Sequence, residues 1–238
     1  MSLRLDGVGD YAQRIGAANL GNTVDGTALL WYRKEDSTAD REILNLARSG
    51  QAGIWQIASS TQVKAHINSE AGVNINMATN SYAGLATTYN GTSGNWLFYF
   101  YQSGTLTLVA TQYGGSSNPT ATLRIGNNDG WGDSALGSNR YLRFWNRTLS
   151  AAEIQAEFEM TPSGGTPAAS TTNLFDSWLL PDNADGVGVY AGTTLTISGA
   201  VTSTEEPTIG GGAPPAIVSV RQSPARSLGL GSFGVKII

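Results

Sequence analysis

The sequence predicts an all-β fold in which two antiparallel sheets pack face to face as a sandwich. Only 13% of its 238 residues are charged, and 30 are glycine. Short segments alternate apolar and polar side chains as strands do, and clusters rich in Gly, Asn and Ser separate them. Many short strands joined by such turns are typical of sandwiches and barrels. A chain of this length can also bury a substantial core.

Six segments carry the strand pattern most clearly. They are Thr27–Lys34, Gly53–Ser59, Gln62–Ser69, Asn95–Gln102, Thr105–Gln112 and Tyr141–Asn146. Because the side chains of a strand point alternately to its two faces, Trp96, Phe98 and Phe100 share one face, which we expect to fill the core. Tyr99 and Tyr101 share the opposite face, where a ligand or a partner has room to bind.

Two polar side chains in these strands are given structural interpretations. Arg143 alternates with Phe144, so we expect it to point to solvent. His66 lies in the middle of its strand, where a single His is expected at the surface or satisfied in the core. It is the only His of the chain, which excludes a multi-His metal site, and the absence of Cys excludes disulfides and thiolate chemistry.

One short helix is predicted near residues 150–159. Ser150 is a good N-cap, and Glu153 follows three residues later, which makes a capping box. Leu149 before the cap and Ile154 after it can form a hydrophobic staple. Pro162 then ends the helix.

The rest of the chain divides by composition. We predict a sandwich over residues 1–160, a linker over 161–172, strands that complete the same sandwich over 173–208, and an extended Gly/Pro-rich arm over 209–238. The alternative for 173–208 is the start of a second, truncated repeat. Completion is favoured because too little chain follows for another sandwich.

Charge is distributed unevenly between the arm and the remainder. From Pro207 to the C terminus there are Arg221, Arg226 and Lys236 but no Asp or Glu. This end carries +3, which leaves −7 for the rest of a chain whose net charge is −4. An acidic body argues against nucleic-acid binding. A basic arm suits docking on an acidic surface, for which we single out Arg221, Arg226, Phe233 and Lys236.

No segment of the sequence reads as a targeting signal or a membrane span. The first residues lack a charged region followed by an apolar one, so we expect a protein made in the cytoplasm of its host. No apolar run approaches the roughly 18 residues that a spanning helix needs. Neither a membrane nor a nucleic acid is therefore an expected partner.

Three motifs, in order along the chain, identify a family resemblance. "LRLDGVGDYAQ" (Leu3–Gln13), "TLRIGNN" (Thr122–Asn128) and "LRFWNRTLSAAEI" (Leu142–Ile154) resemble the opening, an internal strand and the closing motif of laminin G-like domains. These domains belong to the concanavalin A-like lectin/glucanase superfamily, so the resemblance implies a jelly roll of two antiparallel sheets. "DSWLLPDN" and "TTLTISGAVTSTEEP" resemble strands that open many members, yet here they follow the helix, which implies a rearranged sandwich.

The resemblance implies two kinds of chemistry. Glucanases of the superfamily use a strand of the type E-x-D-x-x-E, which this sequence lacks. Glu153, Glu157 and Glu159 are interpreted as capping or solvated acids, so we predict no enzyme. Calcium is the family's usual cofactor.

The loop "GNNDGWGD" carries the candidate ligands. Asn127, Asp129 and Asp133 are its possible calcium donors, and an ordinary Asn/Gly turn is the alternative. Arg140 and Tyr141 occupy the place where the family often has an acidic pair, which weakens the metal hypothesis. No cofactor is therefore predicted as obligatory. For a glycan, the candidates are Trp131, Asn128, Tyr99 and Tyr101, since sugars bind aromatic faces beside polar groups.

Two functions are favoured at this point, and a glycoside hydrolase or lyase is the third, disfavoured alternative. The first is a structural protein at the surface of a bacteriophage virion, either a head decoration (cement) protein or a tail-surface protein. Its arm would contact other virion proteins or copies of itself. The alternative is a carbohydrate-binding module that recognises glycans of a host or a cell wall.

Overall fold

A computed structural model of the chain describes residues 2–5, 11–15, 25–35, 41–48, 51–67, 71–114, 121–126, 137–160, 167, 169–180, 194–198 and 201–203. These residues form fifteen strands and one helix. In chain order they are β1 (Ser2–Leu5), β2 (Tyr11–Ile15), β3 (Gly26–Lys34), β4 (Glu42–Arg48), β5 (Gln51–Ser59), β6 (Gln62–Ile67), β7 (Val73–Asn76), β8 (Tyr82–Asn90), β9 (Asn95–Gln102), β10 (Thr105–Tyr113), β11 (Ala121–Gly126), β12 (Gly137–Trp145), α1 (Ala151–Met160), β13 (Leu174–Leu179), β14 (Thr196–Ser198) and β15 (Val201–Ser203).

The strands form two antiparallel sheets, which confirms the predicted jelly-roll sandwich. Sheet A has the spatial order β10, β9, β8, β3, β12, β1 and β15, and β13 also pairs with β12. Sheet B has the order β14, β2, β11, β4, β5, β6 and β7. Strand β12 serves two partners along one side, since Gly137–Asn139 pair with β1 and Tyr141–Trp145 pair with β13.

The core between the sheets is built mainly by aromatic side chains. Trp96, Phe98 and Phe100 lie in it as predicted, opposite Trp55 of sheet B. The Trp55 ring is 6.0 Å from the Phe98 ring, centroid to centroid, in an edge-to-face arrangement. Its buried indole nitrogen donates to Thr87 Oγ1 at 3.1 Å, so the polar part of the side chain is satisfied.

The helix α1 begins with the predicted capping box. The amide of Ser150 donates to Glu153 Oε2 at 2.9 Å, and the amide of Glu153 donates to Ser150 Oγ at 3.3 Å. Leu149 and Ile154 are both buried in the cluster beneath the helix, as the staple requires. Within the described residues, no helix is long and apolar enough to cross a membrane.

The helix covers the outer face of sheet A, and this changes two predictions. Arg143 does point away from the core, but α1 lies over that face and leaves the side chain only 1% exposed. The expectation that it reaches solvent was wrong. Glu157 was interpreted as a solvated acid, and that was also wrong, because its side chain is fully buried in an ion pair with Arg143.

Three strands from the C-terminal part of the chain pair with strands from the N-terminal part. β13 pairs with β12, β14 with β2, and β15 with β1. The division at residues 1–160, 161–172, 173–208 and 209–238 stays a prediction. The arm from residue 209 onward lies outside the described residues.

Candidate functional site

The outer face of sheet B is lined by polar side chains. The register aligns Gln13 of β2, Arg124 of β11, Asn45 of β4, Ile54 of β5 and His66 of β6 in one row across the sheet. Their sequence neighbours, among them Leu44, Leu46, Trp55, Leu123 and Ile125, fill the core. Because side chains alternate along a strand, the row faces outward.

A second outward row lies beside the first. It joins Glu42, Gln56, Lys64 and Asn74 through the pairing of β4 with β5, β5 with β6, and β6 with β7. We call the two rows together the polar face. Its members are Gln13, Glu42, Asn45, Gln56, Lys64, His66 and Arg124, with Asn74 at the margin.

Hydrogen bonds within the polar face fix several of these side chains. Arg124 Nε donates to Gln13 Oε1 at 3.1 Å, and His66 Nε2 lies 2.9 Å from Gln56 Oε1. The amide nitrogen of Asn45 makes a longer bond, 3.4 Å, to Glu42 Oε2. The face is therefore a prearranged set of amide, guanidinium and imidazole groups.

The side chains at the centre of the polar face are buried. Gln13, Asn45, Gln56, His66 and Arg124 are each between 5% and 8% exposed. By contrast, Asn74 and Asn76 on β7 and Thr196 on β14, at the two margins of the sheet, are exposed. A small group that enters the centre would therefore meet polar atoms already largely removed from water.

One acceptor in this centre has no partner among the described residues. The carbonyl oxygen of Asn45, Oδ1, is buried and accepts no hydrogen bond. Buried polar side-chain atoms are paired in the large majority of cases. Thr88 Oγ1 and Tyr101 Oη are further exceptions elsewhere in the sandwich, but Asn45 Oδ1 lies on the polar face, where a ligand or a water can pair with it. Asn45 lies in the middle of its row, between Arg124 and Ile54.

The carboxylate content limits the chemistry of this face. Among the described strands of sheet B, Glu42 is the single acidic residue. Most glycosidases need two carboxyl groups, about 5 to 10 Å apart, on either side of the scissile bond. Within the described part of the chain there is also no group of three His, Asp or Glu that could hold a metal ion. The face is equipped to donate and accept hydrogen bonds.

The predicted ligand residues on sheet A are buried. Tyr99 is 6% exposed and Tyr101 1%, and burial raises the pKa of both phenols, with the negative charge of Glu159 adding to the effect on Tyr101. The Tyr101 ring stacks on Phe158 of α1 at 5.4 Å between centroids. Neither tyrosine presents a ring to a sugar, because the apolar cluster beneath and beside α1 encloses both side chains.

The remaining predicted residues lie outside the described part of the chain. These are Asn127, Asn128, Asp129, Trp131 and Asp133 in the loop, and Arg221, Arg226, Phe233 and Lys236 in the arm. The loop residues follow β11, the strand that carries Arg124. Their roles in glycan, calcium and partner binding stay predictions.

The polar face was not identified from the sequence. Its signal was present in single strands, since Asn45 stands between Leu44 and Leu46, and Arg124 between Leu123 and Ile125. What was missing was the strand order. Gln13 and Arg124 are 111 residues apart in sequence and meet only because β2 and β11 are neighbours.

Solved structures with a similar fold are distant in sequence. A heptameric SAP-like pentraxin from Limulus polyphemus is 11% identical, with a TM-score of 0.56 over 84% of this chain and 94% of that one. A candidate carbohydrate-binding protein from Bacteroides ovatus is 15% identical, with a TM-score of 0.62 over 88% of this chain and 62% of that one. At such identities the likeness shows the fold.

A third solved structure is similar over a smaller share of this chain. The sialidase of Trypanosoma rangeli, solved with sialic acid, is 15% identical, with a TM-score of 0.52 over 67% of this chain and 28% of that one.

No curated protein matches the chain in sequence. The Laminin_G_3 family model, described as the concanavalin A-like lectin/glucanases superfamily, matches residues 6–155. With more than half its length matched and the two-sheet jelly roll in place, the chain belongs to the concanavalin A-like lectin/glucanases superfamily.

Proposed function

We propose that the protein is a carbohydrate-binding module without enzymatic activity and that the polar face of sheet B is its ligand surface. The observation that carries this proposal is the Oδ1 of Asn45 at the centre of that face, which is buried and has no hydrogen-bond partner in the described part of the chain. A sugar hydroxyl that donates to this atom would remove the desolvation penalty of an unmade hydrogen bond, about 1–3 kcal/mol.

The composition of the face supports binding rather than hydrolysis. Amide and imidazole groups donate to and accept from sugar hydroxyls, and a guanidinium donates to them. Gln13, Gln56, His66 and Arg124 supply these groups beside Asn45. The single carboxylate, Glu42, does not make the acid and nucleophile pair of most glycosidases. Trp131 and Asn128 follow the same strand as Arg124 in sequence, and we propose that they add an aromatic ring and a further amide.

The fold of the Bacteroides ovatus protein agrees with this proposal but does not specify a ligand. The test is a glycan array followed by titration calorimetry of the full-length chain, with and without calcium. We expect binding to be lost in the Asn45→Leu variant, which removes the acceptor at similar volume. Asn76→Leu is the control, since Asn76 is exposed at the margin of the same sheet and lies outside the two rows of the polar face.

Three outcomes separate the alternatives. Binding that survives Asn45→Leu would move the ligand site away from the polar face. Release of shortened glycans would contradict the absence of enzymatic activity. A requirement for calcium would bring Asn127, Asp129 and Asp133 into the site as ligands.

A second proposed function concerns where the module acts. The basic end with Arg221, Arg226 and Lys236 and the acidic remainder favour a structural protein at the surface of a bacteriophage virion. Its arm would contact neighbouring subunits or other virion proteins, in a head decoration or a tail-surface location. Both functions can coexist in one protein.

Light scattering after gel filtration tests this second function. We compare the full-length chain, a chain that ends at Glu206, and the triple variant Arg221→Glu, Arg226→Glu, Lys236→Glu. The proposal predicts that only the unmodified chain binds purified virions and elutes with them. Equal behaviour of all three proteins would exclude a role of the arm in assembly.

A further inference from the structure

One long stretch of the sequence carries no charge. From Ala71 to Leu123 there is no Asp, Glu, Lys, Arg or His. This stretch builds β7, β8, β9 and β10. Two of these are edge strands, β10 of sheet A and β7 of sheet B, and they lie on the same flank of the sandwich. The side-chain amide of Gln112 on β10 donates to the carbonyl of Ala71 at 3.2 Å, which ties the two edges together.

The exposed large hydrophobic side chains of the described residues lie on this flank. They are Val73 on β7, which is 42% exposed, and Leu108 and Tyr113 on β10, which are 49% and 70% exposed. Single exposed apolar residues are ordinary on protein surfaces. Their concentration on one uncharged flank is the informative observation.

On sheet A these residues continue an apolar surface that α1 covers only in part. Leu106 and Leu108 pair with Tyr101 and Tyr99, so they share the outer face with the cluster beneath the helix. Leu97 and Leu106 are half-buried at its border. We call Leu97, Leu106, Leu108 and Tyr113 the edge stripe. From Leu108 to Tyr113 it extends about 16 Å at the usual rise per residue of a strand.

Such a flank is unusual for an edge. Exposed edge strands are normally protected by charged residues, by Pro or by β-bulges, because their free backbone groups invite pairing. Strand β10 has none of these residues. It does have a bulge between Leu108 and Ala110, which interrupts the line of backbone groups. We therefore expect any contact at this edge to be made by the side chains of the edge stripe, and not by a continuous backbone pairing of β10 with a strand of another chain.

We infer that the flank formed by β10 and β7 is the surface on which two copies of this chain associate about a twofold axis. A twofold contact brings every residue of a patch close to the same patch of its partner. A charged surface of the chain would then face its own charge, whereas β7 and β10 contribute no charged side chain to this contact. A charged partner would be better recognised by complementary charges, which these two strands lack.

The experiment is light scattering of the full-length chain after gel filtration, over a range of concentrations. We expect a mass that rises from one chain of 24.9 kDa towards two. Leu108→Lys and Leu108→Glu should each stay at one chain, because like charges meet across the axis. An equimolar mixture of the two variants should restore the double mass.

Controls separate loss of the contact from loss of the fold. Thr196→Lys adds the same charge at an exposed position of β14, on the opposite edge of sheet B, and should associate as the unmodified chain does. Circular dichroism reports folding, and Tyr113→Lys replaces any Leu108 variant that does not fold. A single-chain mass at every concentration would overturn the inference, as would full association of Leu108→Lys, or open-ended growth in place of a defined dimer.

Discussion

Arg143 of β12 and Glu157 of α1 form an ion pair buried between the helix and sheet A. Arg143 Nη1 donates to Glu157 Oε2, and Arg143 Nε donates to Ser177 Oγ at 3.0 Å. The other carboxylate oxygen accepts the amide of Ala169 at 2.6 Å. The guanidinium carbon also lies 4.7 Å from the centre of the Tyr141 ring. The pair therefore joins strand, helix and the segment that follows the helix.

Removing one partner of this pair should destabilise the fold strongly. Arg143→Met or Glu157→Gln leaves a buried polar or charged group without its partner, for which we expect a loss of about 3–5 kcal/mol in the free energy of unfolding. Urea denaturation of each variant measures it. The double variant Arg143→Met, Glu157→Leu should recover a large part, because no charge is then left buried. Single variants within 1 kcal/mol of the unmodified chain would contradict this account.

Close packing of α1 against β8 gives a second prediction. A Cβ added at Gly84 would lie 2.6 Å from two ring atoms of Phe158. That ring also packs on Trp31, at 5.6 Å between centroids, and so has little room to move. Gly84→Ala should lower the free energy of unfolding by about 1–3 kcal/mol through overpacking. Adding Phe158→Leu should relieve part of that loss, and a larger loss in the double variant would show that the clash is not the cause.

The sequence predicted strands well where one face is apolar and the other is mixed. β9 has the predicted bounds Asn95–Gln102, and the observed β10 is one residue longer than predicted. β8 was not predicted, because Ala, Gly and Thr occupy both of its faces. One face enters the core and the other lies beneath α1, so no polar alternation marks this strand. The same helix covers Arg143, so the expectation that this side chain points to solvent was wrong for the same reason.

The candidate site was harder to predict for a topological reason. Each residue of the polar face is unremarkable in its own strand, and no motif links Gln13, Asn45 and Arg124. They come together because β2, β11 and β4 are neighbours in sheet B although they are distant in sequence. Local periodicity gives the direction of a side chain but not the order of strands, so it cannot assemble such a surface.

The capping box predicts a dependence of stability on pH. Hydrogen bonds from Arg147, at 2.7 and 3.2 Å, together with those from Ser150, lower the pKa of Glu153 from 4.5 to about 2. A carboxyl whose pKa is lowered on folding stabilises the folded state above its unfolded pKa. That contribution is lost as pH falls from about 4.5 towards 2.

Thermal unfolding between pH 6 and pH 2 checks this dependence. Glu153→Gln should show a smaller decrease in stability than the unmodified chain over the lower half of that range. Ser150→Ala, which removes the other half of the box, should cost about 1 kcal/mol at pH 6. Parallel pH profiles for Glu153→Gln and the unmodified chain would show that the carboxylate is not coupled to folding.

We expect Asn45 to contribute to glycan binding without contributing to the free energy of unfolding. Its buried Oδ1 has no partner among the described residues, so this atom adds no protein hydrogen bond to the stability of the fold. Asn45→Leu should therefore leave the free energy of unfolding unchanged or raise it by about 1 kcal/mol while abolishing glycan binding. A loss of more than 2 kcal/mol would instead assign Asn45 a structural role, and its effect on binding would then need to be judged from Arg124→Lys.

Lys34 should be a structural cation that joins the two sheets at one end of the sandwich. Its side chain on β3 is fully buried, and Nζ donates to the carbonyls of Ser59, Gln62 and Met77 at 2.6, 3.2 and 3.0 Å. Those carbonyls belong to the last residue of β5, the first residue of β6 and the residue after β7. Lys34→Met keeps the aliphatic stem but leaves these acceptors without their donor, so we expect a loss of about 3 kcal/mol.

Urea denaturation measures that loss, and hydrogen exchange locates it. The amide of Met77, which donates to the carbonyl of Thr61 at 2.8 Å, should exchange faster in Lys34→Met because the turn is no longer held against β3. Lys64→Met is the matched control, since Lys64 is half-buried on the outer face of β6. Equal losses in the two variants would indicate a general effect of removing a lysine charge rather than a clamp at this end of the sandwich.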